Sequence, residues 1–211
     1  MKEILEKQRE FFKRGATRTA SFRLDALKKL RGSIIDNYDK IVSAFKADYN
    51  KNEFDAVATE IAMVVSEIDF LTRRLKRFMR PRRVSTSLAS FPAKGMIAAE
   101  PFGCVLIVAP WNYPFNLSLT PLAGAIAAGN TVVLKLSGKT PRVSQTIMDI
   151  LKIFDEAFVA VEPLEKRGME IFGLKFDYVF YTGSAAFAKN ICRLQAEHLT
   201  PMSLELGGKC P

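Results

Sequence analysis

The apolar positions of this chain change their period near residue 81. Before that point they recur at helical spacing among charges. Ile4, Leu5, Phe11 and Phe12 mark residues 3–14, and Phe22, Leu24, Leu27, Leu30, Ile34, Ile35, Ile41, Val42 and Phe45 mark residues 20–48. Val57, Ile61, Val64, Val65, Ile68 and Leu71 mark residues 53–79. The spacing predicts three helical stretches, the second broken near Gly32-Ser33 into two helices or one bent one. Beyond Pro81 the runs shorten. Val84 to Ile97 alternates around Pro92 and Gly95 and reads as two short strands or a hairpin. Val105 to Val108 is wholly apolar, as strands buried on both faces are, and Thr131 to Leu134 is a second apolar run. Helices are expected over 140–158 and 185–198, and further strands over 176–181 and 202–206.

Strands alternating with helices predict an α/β fold, a Rossmann-like open parallel sheet covered on both faces, with a helical N-terminal region and a β-hairpin excursion. Three parts are expected: a helical region over 1–80, an oligomerisation hairpin over 81–100, and a dinucleotide-binding domain over 101–211 on which the helical region packs. A plain surface hairpin remains an equal reading of the second part. Residues 105–136 form one βαβ unit. Ligands gather where the first strand of such a unit ends, here at Trp111 and Asn112.

Composition narrows the class. The 211 residues are 48% hydrophobic and 25% charged, ordinary for a globular protein, and no run reaches the ~18 apolar residues of a membrane span. The first residues, MKEILEKQREFFKR, carry charges throughout and do not read as a secretory signal. Three cysteines, Cys104, Cys192 and Cys210, have no paired spacing, which argues for reduced thiols, a cytoplasmic location, and neither disulfides nor a metal site. The net charge of +9 is uneven: residues 73–83 hold seven of the 31 Lys and Arg. A nucleic-acid patch and a solvated helix end both fit that cluster. No nucleic-acid motif accompanies it, so no nucleic-acid partner is expected.

Three features carry candidate chemistry. Asn112, in the turn after a buried strand, could donate its amide to an oxyanion, or could bond its own backbone as turn asparagines do. Thr182-Gly183-Ser184, between a strand and a helix, could receive a phosphate at the helix N-terminus, or could be a tight turn with a serine cap. Glu205, in an apolar run before Gly207-Gly208-Lys209, could be a general base with its pKa raised by burial, or could pair with Lys209 or face solvent. His198, the sole histidine, reads as a structural residue at a helix end.

In order along the chain, Pro110-Trp111-Asn112-Tyr113-Pro114-Phe115, Gly129-Asn130-Thr131-Val132-Val133-Leu134-Lys135, Tyr181-Thr182-Gly183-Ser184 and Leu204-Glu205-Leu206-Gly207-Gly208-Lys209 resemble the aldehyde dehydrogenase superfamily. The likeness is to its class 3 branch, which acts on fatty or aromatic aldehydes, and it runs over nearly the whole chain. The resemblance implies NAD(P)-dependent oxidation of an aldehyde substrate to a carboxylic acid, with NAD or NADP as cofactor and a homodimer as the assembly. Asn112 then matches the oxyanion donor that steadies the hemithioacetal. Glu205 matches the base that activates water against the thioester. Lys135 matches the lysine on the adenosine ribose, and Gly183 and Ser184 match the pyrophosphate loop. Trp111, Ser137, Ala185 and Leu206, beside them, complete the expected cofactor site.

The departures matter equally. Gly138 stands where the family usually has a glutamate three residues past the lysine, which should weaken NAD binding and relax discrimination against NADP. Pro163-Leu164 replaces a Gly-Gly pair, and Ala188 replaces the second loop glycine. The family's nucleophilic cysteine lies beyond the Glu-Leu-Gly-Gly motif. Cys210 falls inside that motif's tail, and Cys104 and Cys192 read as buried inert thiols. The expectation is therefore a cofactor-binding N-terminal portion without its catalytic domain. The alternative is a short, inactive dinucleotide-binding or interaction protein.

Overall fold

The computed structural model describes residues 1–164 and 169–208. Its centre is a five-stranded parallel sheet in the order β5-β4-β3-β6-β7. The strands are β3 (Cys104–Val108), β4 (Thr131–Lys135), β5 (Val159–Val161), β6 (Tyr178–Gly183) and β7 (Met202–Leu206). The first two strands after β3 extend the sheet one way from it, and the last two extend it the other way. The strand order reverses between β3 and β6, which opens a crevice beyond their carboxyl ends.

Both faces of the central strands β3 and β4 are covered, which is why they are apolar without alternation. Neighbouring residues of β3 go to opposite sides. Val105 and Ile107 join a core with α2 (Ala20–Asp36), α3 (Tyr38–Tyr49), α5 (Ala62–Phe78), α6 (Asn116–Ala128) and α7 (Pro141–Leu151). Cys104, Leu106 and Val108 join a second core with Ile171, Phe172 and α8 (Ala185–Ala196). Leu5 of α1 (Lys2–Lys13) belongs to that second core.

The N-terminal helices are fastened to the βαβ unit by polar contacts as well. Gly129, at φ 92°, ends α6 in the left-handed region, where a side chain would collide with the buried Arg23 guanidinium. Arg23 donates to the carbonyls of Thr17 and Ala127, and Thr17 Oγ1 donates to that of Gly129 at 2.7 Å. The Gly129-Asn130 turn is thus fixed from outside as well as by its own geometry.

Several elements depart from the expectations. The helical run 20–48 does not break at Gly32-Ser33. Ser33 Oγ donates to the carbonyl of Ile150, so the small pair packs against α7, and the break falls at Asn37, whose side chain donates to the carbonyl of Ser33. The run 53–79 is α4 (Glu53–Ala56), a π turn over Val57–Ile61, and α5. The helix expected over 140–158 stops at Leu151, and β5 was not foreseen. The hairpin exists: β1 (Arg82–Val84) pairs antiparallel with β2 (Gly95–Ile97). Leu88 and Phe91 at its tip are exposed. The basic cluster lies on the solvent side of the end of α5 and on β1, anchored by buried Leu71 and Leu75. No helix among the described residues is long and apolar enough to cross a membrane.

Candidate active site

Strand register sets the floor of the crevice. Lys135, Val108, Tyr181 and Leu204 stand in one row across β4, β3, β6 and β7, and Glu205 pairs with Thr182 one row further out. Adjacent strands lie about 4.8 Å apart, so β7, with Glu205, is about 10 Å from the strand that leads to Asn112. Above this floor opens a cleft of about 1570 Å³. Trp111, Asn112, Lys135, Ser137, Gly183, Ser184, Ala185, Glu205 and Leu206 all line it. The four motifs, scattered over nearly a hundred residues of sequence, therefore meet in one cavity.

Each side chain is placed by a local reason. Trp111 and Asn112 follow the last buried residues of β3 and are exposed to the cleft. The Lys139 ammonium lies 5.4 Å from the Trp111 ring, a cation–π contact. Lys135 ends β4 and is ion-paired with Glu162, a buried carboxylate just past β5. Glu162 was missed because the strand before it, three residues long, gives no periodic signal. An acid directly after Val159-Ala160-Val161 was the available clue.

Ser184 caps α8, its Oγ accepting from the Phe187 amide at 3.3 Å. Its serine-cap role and its place at the cleft coexist, because the first-turn amides of a helix have no intrahelical partner and face the open end. The Tyr181 hydroxyl donates to the Ser184 carbonyl at 3.2 Å, and burial pushes its pKa up. Thr182 Oγ1 is buried in this lining with no hydrogen-bond partner among the described residues. A helix N-terminus, a lysine and an orphaned hydroxyl around one cavity fit an anionic, hydroxyl-rich ligand such as a dinucleotide.

Of the readings open for Glu205, the described residues show the solvent-facing one: β7 is the edge strand of the described sheet, and Glu205 on it is exposed. Lys209, its candidate partner, and Cys210 lie outside the described residues. Cys104 is buried in the sheet with its pKa pushed up by burial, and Cys192 donates to the Met202 sulfur at 3.4 Å. His198 bonds the Gly173 carbonyl at 3.1 Å, at the end of α8. Among the described residues no cluster of His, Cys, Asp or Glu could hold a metal ion.

A family model described as "Aldehyde dehydrogenase family" matches residues 1–211. The chain is 42% identical over 209 residues to aldehyde dehydrogenase family 3 member B1 of Mus musculus, covering 98% of this chain but 45% of that protein. Its fold superposes on the substrate-bound state of Staphylococcus aureus AldH with a TM-score of 0.95 at 39% identity, over all of this chain and 46% of that one. A betaine aldehyde dehydrogenase of Staphylococcus aureus in complex with NAD+ shares the fold, with a TM-score of 0.85 at 23% identity. The chain thus spans about half the length of the proteins it matches.

Proposed function

Since this chain belongs to the aldehyde dehydrogenase family, we propose that it is the cofactor-binding portion of an NAD(P)-dependent enzyme oxidising an aldehyde to a carboxylic acid. The observation that carries the reading is the convergence of Asn112, Lys135, Gly183, Ser184 and Glu205 on one cleft at the carboxyl ends of parallel strands. Lys135 holds the adenosine ribose, and the α8 N-terminus with Ser184 and Ala185 faces the pyrophosphate. Trp111, Ser137 and Leu206 wall the dinucleotide. The bound nicotinamide would supply the hydride acceptor. Asn112 donates its amide N–H to the oxygen that becomes anionic when a thiol adds to the aldehyde. Glu205, in contact with solvent, takes a proton from the water that releases the acid. Neither described cysteine is the attacking thiol, since Cys104 is buried within the sheet and Cys192 faces Met202.

NADH titration of the 211-residue chain tests the cofactor half of this reading; absence of saturable binding sinks it. The chain alone should not reduce NAD(P) with any aldehyde. Turnover that Cys210→Ser abolishes would assign the thiol to Cys210 instead. We also assign the hairpin to contact with a second copy, because Leu88, Phe91, Met96 and Ile97 leave a ribbon of apolar side chains exposed. Sedimentation of a Leu88→Ser/Phe91→Ser variant as a dimer would contradict that assignment.

A further inference from the structure

Behind the cleft lies a buried ionic group that the proposed chemistry does not use. Glu60 is fully buried in the π turn Val57–Ile61. Its Oε1 lies 3.0 Å from Lys51 Nζ, and its Oε2 accepts the amide of Asn116, the first residue of α6, at 2.9 Å. The carbonyl of Thr59, in the same turn, accepts from Asn116 Nδ2 at 3.3 Å. Burial pushes the Glu60 carboxyl up, against the pull of the Asn116 amide and Lys51.

The Lys51 ammonium reaches in the other direction as well, lying 5.0 Å from the Tyr113 ring. Tyr49, two residues before it, donates its hydroxyl to the Trp111 carbonyl. The segment 49–60 therefore grips Trp111, Tyr113 and Asn116, which flank Asn112 on both sides. A buried ion pair is a poor source of net stability, since the cost of desolvating both charges offsets their attraction; its advantage is that it fixes direction. Insertions of a π turn in a helix recur at functional sites for a related reason, re-aiming the side chains they carry.

We propose that Lys51 and Glu60 are positioning residues: their ion pair sets the loop that presents Asn112 to the cleft, acting through Asn116 and Tyr113. The inference rests on the reading of Asn112 as oxyanion donor, and neither residue lines the cleft.

The test compares wild type with Glu60→Gln, Lys51→Met and the double variant in the 211-residue chain. Three readouts are taken: cooperative unfolding, amide hydrogen exchange at Trp111, Asn112, Tyr113 and Phe115, and acrylamide quenching of Trp111, the only tryptophan of the sequence. Both single variants should speed exchange in the loop by about tenfold or more and raise the quenching. The double variant leaves no lone buried charge, so its stability should return towards wild type while the loop stays mobile. Wild-type exchange in the double variant, or unchanged exchange in either single one, overturns the proposal. NADH titration of the same wild-type sample reports separately on the cleft: without binding there, the cofactor reading fails while the exchange comparison still decides whether the pair holds the loop.

Discussion

The hydroxyl of Tyr181 occupies the space that a side chain at position 183 would need. Gly183 is thus required by its neighbour two residues back, a residue only 4% exposed whose ring packs beside Phe187, with ring centres 5.9 Å apart. That buried ring cannot swing away cheaply, so the turn into α8 is held close to the sheet and open to the cleft.

Gly183→Ala should therefore destabilise the fold by about 1–3 kcal/mol, the usual cost of overpacking a filled site. It should weaken NADH binding too, because the pyrophosphate loop must shift. Adding Tyr181→Phe removes the obstructing oxygen and should recover part of both losses. Denaturant unfolding and NADH titration over the four-member cycle read the coupling.

Lys135→Met should lower NADH affinity and also leave the Glu162 carboxylate buried alone, at a cost of about 3 kcal/mol. The two effects separate in Lys135→Met/Glu162→Gln. Stability should return in that variant and NADH affinity should not. If affinity returns with stability, Lys135 serves the sheet rather than the ribose.

Gly138→Glu restores a carboxylate at an exposed cleft position two residues past Leu136. It should tighten NADH binding and weaken NADPH binding, moving their ratio by about tenfold, or 1.4 kcal/mol, through repulsion of the 2′-phosphate. Parallel titrations with the two cofactors check it; an unchanged ratio would place the adenosine ribose elsewhere.

Stability at high pH should carry a mark of Tyr49, whose pKa burial, with Glu60 and Asp48 nearby, pushes up to about 12 from 10.0. The unfolded chain ionises this group first, so the unfolded state binds fewer protons and stability falls as pH rises from 10 towards 12. Tyr49→Phe removes that contribution, and its loss of stability between pH 9 and 11 should be shallower than the wild type's. Tyr38 and Tyr181 are raised as well but remain in both proteins, so the difference isolates Tyr49. Equal slopes would contradict the assignment.

The sheet and its cleft were legible in the sequence because strands buried on both faces leave apolar runs, as Val105–Val108 in β3 and Val132–Leu134 in β4 do, and Met202–Leu206, though broken by Ser203 and Glu205, also became a strand. Register then did the rest, since the residue after an apolar run stands at a strand end. For Glu205 the sequence left burial and solvent exposure both open, because a strand pattern looks alike in the middle of a sheet and at its described edge. Gly32-Ser33 misled. A small pair reads as a break, yet here it lets α2 approach α7. Lys51 and Glu60 gave no signal, because a charged residue among helical charges looks solvated, and only the π turn carries Glu60 inward.

The central claim is that one cleft gathers these motifs around a dinucleotide, and Trp111 reports on it directly. NADH titrated into the 211-residue chain should quench Trp111 emission saturably, with energy transfer to the reduced nicotinamide. In Lys135→Met/Glu162→Gln the same curve should shift to at least about tenfold higher concentration, the loss of one charge-assisted contact. No saturable quenching in the wild type, or an identical curve in that variant, would contradict the account.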